Sequence, residues 1–139
     1  MTTDDLYDLA EDCGHEVFRF ALPQCQSICV EDEGAYYIGL DNSLRGIAEK
    51  EHLCHEIAHA NYAGVYCRHA PLNTTGRIER SANKWTFLKL IPAGELREVV
   101  KRGFSVWEIA DYFDVTYDML CKAVEYYTGA CGLNFEVAT

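Results

Sequence analysis

Within Glu51-His52-Leu53-Cys54-His55-Glu56-Ile57-Ala58-His59-Ala60 the chain carries the pattern H-E-x-x-H. Histidines four apart lie one above the other on a helix face, so the imidazoles of His55 and His59 can converge on one metal ion. Glu56 is close enough to reach water held at that ion. Zinc lowers the pKa of bound water from 15.7 to ~7, and a neighbouring carboxylate can take the proton as hydroxide attacks a carbonyl. These residue types at this spacing suit hydrolysis.

A catalytic zinc also needs a third protein ligand and an open fourth position. Glu79 opens a helical pattern, Glu79 to Ile91, which Pro92 terminates. Two antiparallel helices joined by a loop can bring Glu79 opposite the histidine pair. Cys67 and His69, in the intervening loop, are chemically capable rivals. Asn83 lies one turn after Glu79 and is expected to hydrogen-bond the free nitrogen of a ligand imidazole, which would set its tautomer. His52, a turn before His55, reads as a helix-surface histidine. Tyr62, Tyr66 and His69 are candidates for the donor that a zinc hydrolase adds to the developing oxyanion.

His55-Glu56-x-x-His59, then Glu79-x-x-Ala82-Asn83, then an aromatic-rich helix ending Leu90-Ile91-Pro92, resembles the ImmA/IrrE-type family of small bacterial and phage zinc metallopeptidases. The resemblance spans about Tyr36 to Pro92 and is weaker towards the end of the chain. Trp85-Thr86 stands where the family has Phe-Ala, Ala58 where glycine is common, and His52 and Cys54 are atypical before the motif. None of these departures removes a ligand. The resemblance implies a protein substrate, specifically a DNA-binding, helix-turn-helix repressor of a phage or mobile element.

Composition sets wider bounds. A chain of 139 residues, 49% hydrophobic and 24% charged, is expected to form a single domain with its own core. The net charge of −10 and the pI near 4.8 argue against a phosphate-binding surface, so direct contact with nucleic acid is not expected. The start, Met1-Thr2-Thr3-Asp4-Asp5-Leu6, lacks the basic and apolar regions of a signal peptide, and nothing approaches the ~20 apolar residues of a membrane span. A cytoplasmic protein with no membrane partner is the expectation. The seven cysteines are odd in number and irregularly spaced, and read mostly as small buried apolar residues. Cys25-x-x-x-Cys29 as a second zinc site is disfavoured.

The elements that must position the motif can be read in order. Thr2 or Thr3 caps a helix to about Asp12, with Leu6, Leu9 and Ala10 inward and Gly14 at its end. Glu16 to Leu22 alternates with β period, which predicts burial of Phe18, Phe20 and Leu22. Ser27–Val30 and Ala35–Leu40 flank an acidic turn and predict a hairpin, completing three strands. Asp41, Asn42 or Ser43 is expected to cap the active-site helix from Leu44 to about Tyr66, and Gly64 is a cost within it or marks its end. Cys67 to Gly76 reads as loop. Beyond Pro92 come a helix to Arg102, a capping box at Ser105 to Glu108, and a last helix after Asp114-Val115-Thr116.

The fold class is therefore α+β: a small antiparallel or mixed three-stranded sheet, an active-site helix and a ligand helix of zincin type, and a helical C-terminal portion. Residues 1–92 form the catalytic core and 93–139 a helical subregion of one metallopeptidase domain. The functional reading is a zinc endopeptidase, with His55, His59 and Glu79 on the metal and Glu56 as catalytic base. If Tyr36–Leu40 is a sheet edge, it can align an extended peptide. The alternative is a non-enzymatic zinc-containing binding module, against which the intact Glu56 speaks.

Overall fold

The computed structural model describes residues 1–65 and 72–132. Thr2 and Asp5 exchange hydrogen bonds in a capping box that satisfies two otherwise unpaired amides and starts α1 (Thr3–Asp12). Leu6 and Ala10, four apart, form its buried stripe. Gly14, at φ 80°, releases the chain into β1 (Glu16–Phe20).

β2 (Ser27–Asp32) and β3 (Ala35–Asp41) form the expected acidic hairpin. Glu33 and Gly34 close it, both at positive φ (51° and 83°), as a two-residue turn of primed type requires if its twist is to match the strands. The sheet is mixed, in the order β1-β3-β2, with β1 parallel to β3 and β2 antiparallel to it. β3 is thus the central strand. Both of its edges are taken, so Tyr36–Leu40 cannot receive a further strand, and the edge on the hairpin side belongs to β2.

The β period of β1 is observed, but its phase is inverted. Phe18 and Phe20 are about half exposed, while Val17 and Arg19 take the more buried positions. Arg19 occupies the inner phase. Its aliphatic stem can lie against apolar surface while its guanidinium pairs with Glu49 and donates to the Leu44 carbonyl. Turning the strand over would bury two phenylalanines, each worth about 1.5–3 kcal/mol at most. It would also strip a half-buried carboxylate of its cation. Phe18 instead stacks on Tyr37 on the outer face, and Phe20 lies over Gly39.

The helix that carries His55 and Glu56, α2, runs over Gly46–Ala58 and begins later than its sequence suggests. Arg45 occupies its N-cap without a side-chain hydrogen bond. Asp41 is occupied elsewhere: its carboxylate accepts from the Leu22 and Ser43 amides and the Ser43 hydroxyl. These bonds hold its pKa down at about 2 and brace the turn between β3 and α2. Leu53, Cys54, Ile57 and Ala58 are fully buried, and α2 packs on β2, β3 and α1.

At His59 the helix widens into a π-turn, His59–Ala63, and Gly64 ends it at φ 81°. Tyr66, Cys67 and His69 lie outside the described residues. The helix that carries Glu79, α3, spans Leu72–Leu90, starting well before that residue. Thr75 and Gly76 are therefore helical rather than loop. Their low propensity costs only about 0.5–1 kcal/mol each, which tertiary packing of a helix this long readily overrides. Thr86, the departure from the family pattern, is 1% exposed, and its hydroxyl donates back to the Ala82 carbonyl at 2.8 Å. A polar group there is buried but satisfied.

The chain divides into two compact units, Met1–Thr86 and Phe87–Thr139. In the second, α4 (Ala93–Lys101), α5 (Val106–Phe113) and α6 (Tyr117–Glu125) bury Leu96, Val99, Ile109, Phe113, Leu120 and Ala123. The capping box at Ser105 and Glu108 opens α5 as its sequence predicts, and Asp114 in the left-handed region turns the chain into α6. The Tyr127 hydroxyl donates to the Phe87 and Ile91 carbonyls within this unit. Among the described residues no helix is long and apolar enough to cross a membrane.

Candidate metal centre

His55 and His59 sit one turn apart at the end of α2, and Glu79 faces them from α3. His55 Nε2 lies 3.0 Å from Glu79 Oε2, His59 Nε2 lies 3.1 Å from Glu79 Oε1, and the two Nε2 atoms are 3.2 Å apart. The three residues proposed from sequence as ligands are thus brought together. Among the described residues they form the one such group, with ligand atoms within 4.8 Å of one another.

The chemistry of this donor set fits a cation. His59 Nδ1 hydrogen-bonds the Gly64 carbonyl at 2.8 Å; a carbonyl only accepts, so Nδ1 carries the hydrogen and neutral His59 presents a lone pair at Nε2. That lone pair meets a second imidazole nitrogen and a carboxylate. Such groups repel unless a proton or a metal ion stands among them. A tetrahedral ion with bonds of about 2.0–2.2 Å places its ligand atoms roughly 3.3–3.6 Å apart, a few tenths of an ångström beyond the spacings between these atoms.

The electrostatics agree. Hydrogen bonds with His55 and His59 hold the Glu79 carboxyl far below the usual carboxylate range, against the effect of its burial. Burial opposes protonation of His59, but the contacts with Glu79 and Gly64 outweigh it and raise its pKa above 6.5.

The tautomer of His59 is therefore set by Gly64, in the role expected of Asn83. Asn83 is exposed and makes no bond to either imidazole. The π-turn is what brings the carbonyl round: with one extra residue in the turn, the Gly64 amide bonds to the His59 carbonyl while the Gly64 carbonyl meets the His59 ring. Gly64 has φ 81° and ψ 176°, a region open essentially to glycine alone. Gly64→Ala should strain this turn by about 1–3 kcal/mol and displace the carbonyl. Thermal unfolding should shift down, and competition titration should show zinc held about 10–100-fold more weakly. Zinc affinity equal to wild type would mean that this carbonyl does not orient His59.

Glu56, 6% exposed, lies beside His55, His59 and Glu79 in a cleft of about 740 Å³. Cys25 to Glu31 form one wall of the cleft, and His52, His55, Glu56, His59 and Glu79 line it from the helical side. His52 is accordingly a cleft residue rather than a surface one; burial pushes its pKa down. Ser27, which sequence reasoning passed over, donates its hydroxyl hydrogen to Glu56 Oε2 at 2.7 Å and lies 2.9 Å from His52 Nδ1. The sequence carries no signal for it, because the apolar residues of that strand, Ile28 and Val30, mark the opposite phase and yet are the exposed ones.

Of the candidate oxyanion donors, Tyr62 is 63% exposed and does not line the cleft, and Tyr66 and His69 are not described. The cysteines depart from expectation: of the six described, only Cys54 is buried and Cys29 intermediate, while Cys13, Cys25, Cys121 and Cys131 are exposed. They fall at element ends and outer faces rather than in the apolar stripes. Burial, helped by Glu56 and Glu31, pushes the Cys29 thiol up to about 12, so it stays protonated.

Comparison with known proteins bears on this site. The model of the family Peptidase_M78, described as the IrrE N-terminal-like domain, matches residues 10–125, which include every residue of the cluster. No curated protein matches the chain.

Proposed function

Because the chain belongs to the IrrE N-terminal-like family of peptidases, we propose that it is a zinc-dependent endopeptidase in which His55, His59 and Glu79 hold the metal and Glu56 is the general base. The observation that carries this reading is the convergence of two imidazole nitrogens and a carboxylate in a cleft that also holds a buried glutamate. A set of two histidines and one carboxylate is the ligand pattern of hydrolytic zinc sites, and imidazole suits zinc better than magnesium or calcium. Zinc, when bound, supplies a Lewis acid that polarises the scissile carbonyl and acidifies water. Glu56 accepts the proton of the attacking water and delivers one to the leaving amine nitrogen. All four residues belong to the unit Met1–Thr86.

The substrate strand is assigned to β2. Its edge lines the cleft, so an extended segment can add to it by main-chain hydrogen bonds beside Glu56. We assign the substrate to a regulatory protein, a helix-turn-helix repressor of a phage or mobile element, cut in the cytoplasm at few positions. The requirement for an extended segment and the net charge of −10, which favours a basic partner, support this. The helical unit is assigned to protein docking rather than to DNA: Lys122, the one cation of α6, is paired with Asp118 at 3.0 Å.

The test is incubation of zinc-loaded protein with the repressor encoded beside its gene and, separately, with casein, with products read by mass spectrometry. The repressor should be cut at one or a few bonds while casein stays intact. Equal digestion of both refutes selectivity. Cleavage of neither favours a non-enzymatic zinc-containing module.

A further inference from the structure

Ser27 and His52 stand outside the ligand set and the base, yet they are joined to the base by hydrogen bonds. We propose that Ser27 is a positioning residue that locks the Glu56 carboxylate in its working orientation, and that His52 in turn aims the Ser27 hydroxyl. This rests on Glu56 as the base.

Along β2 the more buried positions are Ser27 and Cys29, while Ile28 and Val30 are exposed, so Ser27 belongs to the helix-facing phase. On α2, His52 and Glu56 are four apart and therefore share a face. A single hydroxyl from the strand reaches both: 2.7 Å to Glu56 Oε2 and 2.9 Å to His52 Nδ1.

Hydrogen accounting fixes the directions. A carboxylate only accepts, so the one hydroxyl hydrogen goes to Glu56. The Ser27 oxygen can then only accept from His52, which must carry its proton on Nδ1. The chain runs His52 Nδ1–H to Ser27 Oγ–H to Glu56 Oε2. Oε1 of Glu56 accepts no hydrogen bond among the described residues, so one carboxylate oxygen is anchored and the other is left for water.

A free glutamate side chain samples many rotamers, whereas a base must hold its oxygen within hydrogen-bond reach of the proton it takes. Anchoring one oxygen from the strand removes that freedom. It also ties the base to β2, the strand assigned to substrate alignment, so that peptide and base are placed by one element.

The experiment compares wild type, Ser27→Ala, Ser27→Thr, His52→Ala and His52→Asn, all zinc-loaded. Long-range proton–nitrogen NMR of the histidine rings should find His52 with its proton on Nδ1 in wild type and moved to Nε2 in Ser27→Ala. In crystals of Ser27→Ala the Glu56 carboxylate should occupy more than one rotamer. With a cleaved peptide, Ser27→Ala should lower kcat about tenfold with KM within about twofold and zinc affinity unchanged. Ser27→Thr, which keeps the hydroxyl, should restore kcat. His52→Ala should fall between, and His52→Asn, whose amide can replace the Nδ1 donor, should recover part of the loss. A wild-type His52 protonated on Nε2, an unchanged kcat in Ser27→Ala, or loss of zinc from that variant overturns the proposal. Wild-type protein that cleaves nothing refutes the peptidase reading instead. The tautomer and the Glu56 rotamers then still decide whether Ser27 holds the carboxylate.

Discussion

Glu56→Gln should keep its zinc and its fold yet hydrolyse substrate about 10²–10⁴-fold more slowly than wild type, the range that general acid–base catalysis contributes. The substitution is nearly isosteric at a position 6% exposed, so no cavity opens and no packing is lost. The amide oxygen can still accept the Ser27 hydroxyl that the carboxylate accepts at 2.7 Å. What the amide cannot do is take a proton from water at neutral pH. By the usual conversion of about 1.36 kcal/mol per factor of ten, the loss amounts to roughly 3–5 kcal/mol of transition-state stabilisation. Measuring kcat/KM beside zinc content separates the two roles. Normal cleavage by Glu56→Gln would remove Glu56 from the chemistry.

His59→Ala should lose both zinc and activity at zinc concentrations that saturate wild type. His59 is the most enclosed of the three proposed ligands, with its side chain 6% exposed against 25% for His55 and 35% for Glu79. Its tautomer is preset by Gly64. Removing it leaves one imidazole and one carboxylate, too few to hold a tetrahedral ion. His55→Ala should behave alike. Glu79→Gln, which keeps an oxygen but not the charge, should weaken binding less than either.

Loading of the wild type should also depend on pH in a direction the site dictates. Ligand imidazoles must be deprotonated to bind metal. Since the Glu79 and Gly64 contacts raise the pKa of His59 above 6.5, protons begin to compete while the pH is still above that value. Zinc affinity, followed by competition with a chromophoric chelator, should fall as the pH drops through that region and recover as it rises. Affinity indifferent to pH between about 5 and 8, or retained by His59→Ala, would place the metal elsewhere.

Much of this centre is legible in the chain because it depends on local geometry. Histidines four apart on a helix must share a face, and a glutamate must fall beside the first, whatever the rest of the protein does. The two capping boxes, at Thr2 and Ser105, form among residues three apart, and the hairpin turn needs only Glu33-Gly34 between two β runs. Glu79 was accessible for a weaker reason: a carboxylate opening a second helical pattern can be brought opposite the first.

The tertiary structure decided everything that depends on which distant group fills a place. The phase of β1 sets Arg19 against Glu49 thirty positions away and leaves Phe18 and Phe20 half exposed, a pairing that the apolar alternation within one strand does not record. Asp41 was drawn off its expected capping role by amides on either side of it in space. Strand order made β3 central and gave the cleft edge to β2, because pairing partners are set by how the chain packs and not by the pattern within one strand. The π-turn after His59 let a glycine carbonyl, which carries no side-chain signature, displace Asn83 as the orienting group. Ser27 and His52 reached Glu56 for the same reason: a hydrogen bond between strand and helix depends on position in space, and residue type records only that each side could make one.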